Sequence, residues 1–523
     1  KSFRTRISRP LWEELGGSMQ EKYFKQFMND EAYSKLIHIR TTYEFMEHLK
    51  QFKEKIAIVD DEKKVNYNKL EEDALKIAYL LKENKVNLRE NVGIFSLNDY
   101  DFVRAALGTM TYGAVATLLP YQLDARSLTG LSMKYNLKVV FYSQKLEEKV
   151  NEAKKNLPNV KFVEINDEVK TLGEFDKTMK EDDPACIVLT SGTTGKSKGA
   201  VLSHKALYTG VRNGTLGMKK PFDQVYVAVI PFTHVFGLIR SLLTALYTGS
   251  TVHTTPDMKK LFVNLRVAQP TILIVVPALA ELFLKLAKDM GVGVLGGKLE
   301  TVIAGGAHVS PYITLEFNKL IDFFGAGYGL TESANLVSGN PAAPYKPASV
   351  GKFYPYQEYK IVNGELCLKG DNIMLGYYND PDENAKAFDE EGYFKTGDLV
   401  RVDEEGYLYI TGRTKEIIVL PNGENVSPAY IESKINEIDL IQDSLVYEDK
   451  NEFGIVILVA ELLPREQVLK EKKIENLEEY LNKKIEEVNQ NLLPHERIGK
   501  VIVRKEDFPR TPSMKIVRPK REI

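Results

Sequence analysis

Apolar and polar positions alternate in two ways along the first two thirds of the chain. Short runs rich in β-branched residues are NVGIFSL (91–97), AVATLLP (114–120), LKVVFYS (137–143), ACIVLTS (185–191), TILIVVP (271–277) and ETVIAGG (300–306). Between them, stretches such as NKLEEDALKIAYLLKEN (68–84) place an apolar residue at every third or fourth position, as an amphipathic helix does. Strands that alternate with helices predict an α/β architecture with largely parallel sheets, divided over more than one subdomain.

The pattern changes after about Lys346. Acidic-Gly turns then separate short strand-like segments, as in KIVNGELCLKG (360–370), DEEGYFKTGDLV (389–400) and DEEGYLYITGR (403–413), which predicts antiparallel hairpins. A smaller unit with a long charged amphipathic helix (475–493) follows. The chain is therefore predicted to form a large N-terminal domain, residues 1–412, of two α/β subdomains plus a small β-barrel-like subdomain. A small α+β C-terminal domain is predicted at residues 413–523.

Composition and charge exclude some classes of function. The formal net charge of the 523 residues is −2, which predicts no general attraction to nucleic acid or to anionic membranes. The most apolar stretch (271–287) is interrupted by a proline and two charged residues, so it predicts a buried strand and helix and no integral membrane segment. Cys186 and Cys367 lie in apolar runs, which predicts reduced thiols and a cytoplasmic location. The first 17 residues have no apolar core of a secretory signal.

The segment TSGTTGKSKG (190–199) resembles the end of a Walker A loop, G-x-x-x-x-G-K-[ST]. The first glycine of that motif would fall on Thr190, however, and a second apolar run follows Lys196 where a Walker A loop opens into a helix. Ser203 is a suitable N-cap for a later helix. The segment is therefore predicted to be a loop between two strands, and a P-loop NTPase is disfavoured.

Four further motifs follow this loop in order: GYGLTES (327–333), YFKTGDLV (393–400), GRTKEII (412–418) and PRTPSMKIVR (509–518). With these five motifs, the sequence from about Lys50 to its end resembles the adenylate-forming superfamily of acyl-CoA synthetases, luciferases and peptide-synthetase adenylation domains. One such motif would be a weak signal, but five in order are specific. The sequence departs from the family pattern at Ser197, where proline is usual, and at Met514, where glycine is common and where we expect a stiffer loop.

The resemblance implies an ATP-dependent ligase with ATP, Mg²⁺ and coenzyme A as cofactors. Such an enzyme converts a carboxylic acid and ATP to an acyl-adenylate and pyrophosphate, and then transfers the acyl group to a thiol. The segments NGENVSPAYIE (422–432) and FPRTPSMK (508–515) resemble those of ligases for medium- or long-chain fatty acids. An adenylation enzyme that loads a separate carrier protein and an aryl-CoA ligase remain alternatives. A non-enzymatic nucleotide-binding relic is disfavoured, because no expected catalytic position is missing.

The same resemblance assigns the phosphate side of the site. Hydroxyl groups, glycine N–H groups and one lysine suit the β- and γ-phosphates. These residues are Thr190, Ser191, Gly192, Thr193, Thr194, Gly195 and Lys198. Thr331 is expected to reach the α-phosphate. Glu332 is the expected Mg²⁺ ligand, with Thr193 as a second candidate, because Mg²⁺ is commonly held by one or two carboxylates plus phosphate oxygens.

Base and ribose contacts are assigned in the same way. Glycines at a strand end let the backbone approach the flat base, an aromatic ring can stack on it, and a carboxylate can accept hydrogen bonds from both ribose hydroxyls. The residues assigned to these contacts are Gly305, Gly306, Ala307, Tyr328, Gly329, Asp398, Ile410 and Arg413.

Four further residues have roles implied by the resemblance. Lys515 is expected to span the attacking carboxylate and the α-phosphate, offsetting their repulsion. His234 is expected to gate the acyl pocket, although a histidine beside aromatic residues is also often a core residue. Lys415 is expected to be the hinge on which the mobile C-terminal domain turns between the half-reactions. Gly423 is expected to line the path of the pantetheine arm, where a side chain would block passage.

Overall fold

The fold is built from several sheets with helices packed against them. The computed structural model describes residues 6–8, 17–167, 178–190, 197–341, 346–511 and 514–518. Among these residues no helix is both long enough and apolar enough to span a bilayer. Cys186 and Cys367 are buried and carry free thiols.

The first sheet forms the core of one α/β subdomain. Its strands lie in the spatial order Gly376–Tyr377, Lys198–Ser203, Pro184–Thr190, Val115–Leu119, Asn91–Phe95, Val139–Tyr142 and Lys161–Glu164. Pairing is parallel from Pro184–Thr190 onward, whereas Lys198–Ser203 pairs antiparallel with both of its neighbours. Every residue of the strands Asn91–Phe95 and Val115–Leu119 is buried, as expected for parallel strands covered by helices on both faces.

The second sheet forms the core of the other α/β subdomain. Its strands lie in the order Lys352–Phe353, Asn335–Gly339, Phe323–Leu330, Thr301–Ala304, Ile272–Val275, Val225–Val227, Thr251–His253, Ile56–Asp60 and Lys63–Asn66. Pairing is parallel from Phe323–Leu330 through to Ile56–Asp60 and antiparallel at both edges. The strands predicted from the apolar runs are therefore confirmed in both sheets.

A third sheet contains the strands Arg6–Ser8, Glu358–Val362, Glu365–Lys369, Phe394–Val402 and Leu408–Arg413. Every pairing in it is antiparallel, which confirms the hairpins predicted from the acidic-Gly turns. This sheet ends at Arg413, directly before the smaller C-terminal unit.

The C-terminal unit has a hydrophobic core of its own, which includes Ile418, Ile431, Val446 and Leu481. The strands Ile418–Val419 and Asn425–Val426 form a hairpin, and Ile441–Lys450, Val456–Pro464 and Ile498–Val503 form a mixed sheet. The helices Pro428–Ile435, Glu466–Lys472 and Leu477–Gln490 pack with these strands. This is the predicted α+β arrangement.

The remaining helices connect the strands and cover the sheets. They are Gly17–Phe24, Asp30–Ser34, Thr42–Leu49, Tyr67–Glu83, Tyr100–Tyr112, Ala125–Lys134, Glu147–Lys154, His204–Gly214, the π-helix Phe236–Leu243 with its continuation Thr244–Tyr247, Leu261–Ala268, Pro277–Met290, Pro311–Phe317 and Pro381–Ala387. Their starts follow local chemistry: the Ser203 hydroxyl accepts from the Ala206 N–H at 3.1 Å, and Pro277 occupies a first-turn position that needs no N–H donor.

Candidate active site

A cleft of about 2870 Å³ lies where the parallel strands of the first and second sheets end. Several of the residues that line it end a strand or come within three residues after one, namely Pro120, Thr190, Ile230, Thr255, Val276, Gly306 and Thr331. Ligands of open α/β sheets bind at this position, outside the carboxyl ends of the strands. Residues of the C-terminal unit, among them Arg465 and Lys515, line the opposite wall.

One corner of the cleft contains a buried network around Asp398. The Tyr328 hydroxyl donates to Asp398 Oδ2 at 2.5 Å, and Arg413 Nε lies 3.1 Å from Asp398 Oδ1. The strand register places Asp398 directly opposite Arg413. Burial raises the pKa of Asp398, and the Arg413 charge offsets part of this shift. Asp398 and Arg413 are thus brought together as the sequence predicted, but the hydrogen bond from Tyr328 was not foreseen.

The glycines expected near the base lie at the ends of neighbouring strands. Gly306 and Ala307 line the cleft and are the second and third residues after the strand Thr301–Ala304, and Gly306 has a φ of 86°, which favours glycine. Gly329 also lines the cleft, and a Cβ there would lie 2.2 Å from the Asn335 carbonyl oxygen. Gly305 precedes Gly306 and packs against the Phe236 ring. A Cβ at Gly306 would lie 3.8 Å from Val276, so the backbone leaves space there, whereas Gly329 is required by close packing within the protein.

The loop predicted to hold the phosphates lies mostly outside the described residues. Ser191, Gly192, Thr193, Thr194 and Gly195 lie outside the described residues, so their roles remain predictions. The flanking strands Pro184–Thr190 and Lys198–Ser203, with a helix starting at His204, confirm a loop between two strands and the rejection of a Walker A loop.

Lys198 begins the strand after this loop and contacts two side chains of the cleft wall. Its ammonium group forms an ion pair with Glu383 and lies 5.0 Å from the centre of the Tyr377 ring. The Tyr377 hydroxyl in turn donates to Glu332 Oε1 at 2.7 Å. Tyr377 and Glu383 were missed by sequence reasoning, because no motif used in it includes them.

Thr331 and Glu332 lie in the 3₁₀ turn Thr331–Ser333, and both line the cleft. Within the described ranges, no group of three or more His, Cys, Asp or Glu side chains is arranged to hold a metal ion. A single carboxylate beside a phosphate site fits Mg²⁺, which commonly retains water and takes phosphate oxygens as its other ligands. Glu332 would be the carboxylate ligand.

His234 lines the cleft just before the π-helix, and its Nδ1 accepts from the Phe236 N–H at 3.2 Å. Burial and the nearby Lys515 charge lower the pKa of His234 to about 4. The imidazole is therefore neutral near pH 7. Its position beside Phe236 at the cleft wall is compatible with the expected gating role.

Lys515 lies in a hairpin loop that ion pairs anchor to the C-terminal unit. The Thr511 N–H donates to the Lys515 carbonyl oxygen at 2.8 Å. Arg510 contacts Asp443 at 2.6 Å on one side of the loop, and Arg518 contacts both oxygens of Glu432 at 2.8 and 2.6 Å on the other. The sequence offered no role for these two arginines.

The Lys515 side chain lines the cleft, as do Arg413, Asp398 and Glu332. Burial and the Arg413 charge lower its pKa, while Asp398 and Glu332 oppose this shift. The structure thus brings Lys515 to the predicted ATP-site residues. Met514 adopts a left-handed φ of 63°, a conformation in which glycine costs less, so the residue is strained as well as bulky.

A separate contact holds the C-terminal unit over the cleft. Arg465 Nε and Nη2 lie 2.6 and 3.0 Å from the two carboxylate oxygens of Glu281, on the helix Pro277–Met290. Arg465 is 4% exposed, stacks 4.3 Å from the Tyr312 ring centre and donates to two backbone carbonyls of its own unit. This bidentate pair was also missed, since nothing in either segment resembles a motif.

Ile410, Lys415 and Gly423 were predicted to be near the nucleotide or the thiol. Ile410 and Lys415 line the cleft, and Lys415 is exposed in the turn Thr414–Glu416, which connects the third sheet to the C-terminal unit. Gly423 is not among the described residues that line the cleft. It has a φ of 83° in a hairpin turn, a backbone conformation that favours glycine. A Cβ there would meet nothing within 4 Å, so the turn favours glycine and the surrounding space does not require it.

Comparison with known proteins identifies the family. Residues 45–378, more than half of the chain, match the family model described as AMP-binding enzyme, and residues 415–522 match that of the AMP-binding enzyme C-terminal domain. The long-chain-fatty-acid–CoA ligase ACSBG1 of Homo sapiens is 27% identical over 461 residues, which are 72% of this chain and 64% of that protein. The peroxisomal OPC-8:0-CoA ligase 1 of Arabidopsis thaliana is 27% identical over 482 residues, 84% of this chain and 85% of that protein.

The chain thus spans less than two thirds of the length of the human relative. Among solved structures, the anthranilate CoA ligase AuaEII in complex with anthranoyl-AMP superimposes with a TM-score of 0.80. That match covers 92% of this chain and 96% of the other at 19% identity, and it confirms the predicted fold. With matching models over both of its parts, the chain belongs to the AMP-binding enzyme family, the adenylate-forming superfamily that its motifs resemble.

Proposed function

We propose that this protein is an AMP-forming acid–CoA ligase. It would convert a carboxylic acid and ATP to an acyl-adenylate and pyrophosphate, and then transfer the acyl group to coenzyme A. The observation that carries this proposal is the position of Lys515, which lines the same cleft as Asp398, Glu332 and Arg413. A cation at that point suits an attacking carboxylate and an α-phosphate that must meet.

Each site residue has a proposed role in the first half-reaction, the formation of the acyl-adenylate. The Asp398 carboxylate and Arg413 would bind the ribose hydroxyls, and Gly306 and Ala307 would leave room for the base. Lys198 and the loop after Thr190 would hold the β- and γ-phosphates until pyrophosphate leaves. When bound, Mg²⁺ would neutralise phosphate charge, with Glu332 as its carboxylate ligand. Lys515 would align the acid with the α-phosphate.

The acid is proposed to be a medium- or long-chain fatty acid. Beside His234 the cleft wall is apolar, with Phe236 and Leu336 facing the cleft. A Cβ at Gly305 would lie 3.1 Å from the Phe236 ring and 3.2 Å from Leu336, so these side chains pack closely there. Such a surface favours a hydrocarbon over a polar acyl group. An aryl acid is apolar as well and is the second candidate.

The chain is proposed to divide at residues 412 and 413 and to turn about Lys415. In support, the last strand of the third sheet ends at Arg413, next to this division, and the turn Thr414–Glu416, with Lys415 exposed, follows. Such a rotation would withdraw Lys515 and bring the Gly423 hairpin toward the cleft for the thiol step. Buried free thiols at Cys186 and Cys367 are the reason to propose a cytoplasmic location.

Pyrophosphate release with a panel of carboxylic acids tests the proposal. The panel comprises straight-chain fatty acids of increasing length and an aryl acid, each with MgATP and with or without coenzyme A. We expect pyrophosphate from at least one fatty acid and an acyl-CoA product, detected chromatographically, when coenzyme A is present. Release without any acyl-CoA would favour a carrier-loading enzyme. No release with any acid would contradict the proposal.

A further inference from the structure

We propose that Tyr377 is a positioning residue that orients Glu332 through its hydroxyl group and Lys198 through its ring. The inference rests on the proposed function, because both of these residues are assigned there to the nucleotide. Tyr377 itself would touch neither the acid nor the reacting phosphate. Its role would be to fix a carboxylate and an ammonium group on either side of one tyrosine at the wall of the cleft.

The hydroxyl contact fixes the carboxylate of Glu332. The Tyr377 O–H donates to Glu332 Oε1 at 2.7 Å, in a partly buried setting. A phenol loses its proton only at about pH 10, so the Tyr377 hydroxyl is a donor at neutral pH. A charge-assisted hydrogen bond of this kind holds one carboxylate oxygen and leaves the lone pairs of the other free for a ligand.

The ring contact constrains Lys198. The ammonium nitrogen lies 5.0 Å from the centre of the Tyr377 ring, within the range of a cation–π interaction. Glu383, in the helix Pro381–Ala387 that follows, pairs with the same ammonium group. Hydrogen bonding and charge from Lys198 lower the pKa of Glu383. Lys198 is therefore held over the ring before any phosphate arrives.

The backbone of Tyr377 is fixed from two directions, as a positioning role requires. The strand Gly376–Tyr377 pairs with Ala200 and Val201 of the strand that begins at Lys198. The side chain of Asn384 accepts from the Tyr377 N–H at 2.7 Å and donates to the Tyr377 carbonyl oxygen at 2.9 Å. The Met374 N–H also donates to the Glu332 carbonyl oxygen at 2.9 Å. Both ends of the Tyr377–Glu332 contact are thus tied to the same short segment.

Substituting the two functional parts of Tyr377 separately tests this assignment. Tyr377→Phe removes the hydroxyl and keeps the ring, whereas Tyr377→Leu removes both. ATP binding is measured by titration calorimetry on the full chain, once with excess Mg²⁺ and once with a chelator, so that no turnover is needed. We expect Tyr377→Phe to weaken binding about 5-fold with Mg²⁺ and to leave binding without Mg²⁺ unchanged. Tyr377→Leu should weaken both.

Tyr378→Phe is the matched control. It removes a hydroxyl from the next residue, whose ring packs against Tyr135 at 5.5 Å and is not part of the described cleft lining. This variant should bind ATP as the parent does under both conditions. Equal loss with and without Mg²⁺ in Tyr377→Phe would point to a merely structural role and overturn the proposal, as would no loss at all.

A double-mutant cycle decides whether Tyr377 acts through Glu332. In a Glu332→Gln background, Tyr377→Phe should no longer change Mg²⁺-dependent ATP binding, because its target charge has gone. Full additivity of the two substitutions would contradict the inference. The cycle uses ATP binding alone. A protein that binds MgATP as described but activates no acid would therefore refute the proposed function and leave the role of Tyr377 standing.

Discussion

The Asp398 corner and the Lys515 hairpin both contribute charge to the cleft, but they are held there in different ways. Asp398 and Arg413 face each other in one antiparallel strand pair, and Tyr328 completes the network from the second sheet. Lys515 belongs to a unit with its own core, and contacts such as Arg465–Glu281 hold that unit against the helix Pro277–Met290.

Under the proposed function, this difference separates the residues that bind the nucleotide from the residue that promotes adenylation. Strand register and the Tyr328 contact set the Asp398 corner within the second and third sheets, so the proposed rotation of the C-terminal unit would leave it intact. Under the same proposal, the position of Lys515 depends on the orientation of that unit, which ion pairs such as Arg465–Glu281 would stabilise. We therefore expect substitutions in the corner to affect every step that uses nucleotide, and substitutions at the hairpin or its interface to affect adenylation alone.

Removal of the Lys515 charge gives the largest expected effect. Lys515→Ala should slow adenylation by about 10²- to 10³-fold, the usual cost of removing a preorganised charge partner from a transition state. ATP binding should change little, because the Asp398 corner and Lys198 remain. Pyrophosphate release and ATP titration on the same preparation measure the two quantities.

Lys500→Ala is the control for Lys515→Ala, since Lys500 is an exposed lysine of the same unit. It should leave adenylation unchanged. Thioester formation from a supplied acyl-adenylate should also survive Lys515→Ala. If adenylation persisted in Lys515→Ala, the assignment of Lys515 to the adenylation step would be wrong.

Asp398→Asn tests the other region. Asp398 is 2% exposed, accepts a hydrogen bond from Tyr328 and forms an ion pair with Arg413, so an amide there weakens the contact on each side. ATP affinity should fall about 10- to 100-fold, as measured by calorimetry. Asp403→Asn in the turn after the same strand is the control. A loss of adenylation without loss of ATP affinity would show that the corner is not a binding element.

The sequence predicted the parts of the molecule that depend on local pattern. The strand before Thr190, the N-cap at Ser203 and the hairpins of the third sheet follow from periodicity and turn chemistry, and all are present. The contacts Tyr377–Glu332 and Arg465–Glu281 join residues 45 and 184 positions apart. Such contacts depend on how sheets and units meet, and a single sequence carries no local signal for that.

Weakening the interface should give an intermediate effect. Glu281→Ala removes one side of the bidentate pair and leaves Arg465 bonded to the carbonyl oxygens of Asp439 and Ile441. The orientation that presents Lys515 should lose stability, so adenylation should slow about 10-fold. Thioester formation from a supplied acyl-adenylate should be unchanged or faster. Single-turnover measurements of each step separate these outcomes.

Gln467→Ala provides the comparison for Glu281→Ala, because Gln467 bonds Asp289 across the same interface in an exposed setting. Exposed contacts contribute little, so this variant should behave as the parent does. Equal slowing of both half-reactions in Glu281→Ala would mean that the pair stabilises the whole protein and does not select an orientation.

The smallest expected effect is a shift in the pH dependence of adenylation. Burial and the Arg413 charge lower the pKa of Lys515, so its ammonium form is lost at a lower pH than that of an exposed lysine. Adenylation should therefore decline on the alkaline side at correspondingly lower pH. His234, with a pKa of about 4, is neutral across this range and should add no further change to the pH profile.

Lys515→Arg tests this assignment, because arginine keeps its charge at high pH. The alkaline decline of the variant should therefore move to higher pH, even though its maximal rate is lower. Pyrophosphate release measured without coenzyme A keeps the thiol out of the profile, and an unmoved limb in Lys515→Arg would assign the titration to another group.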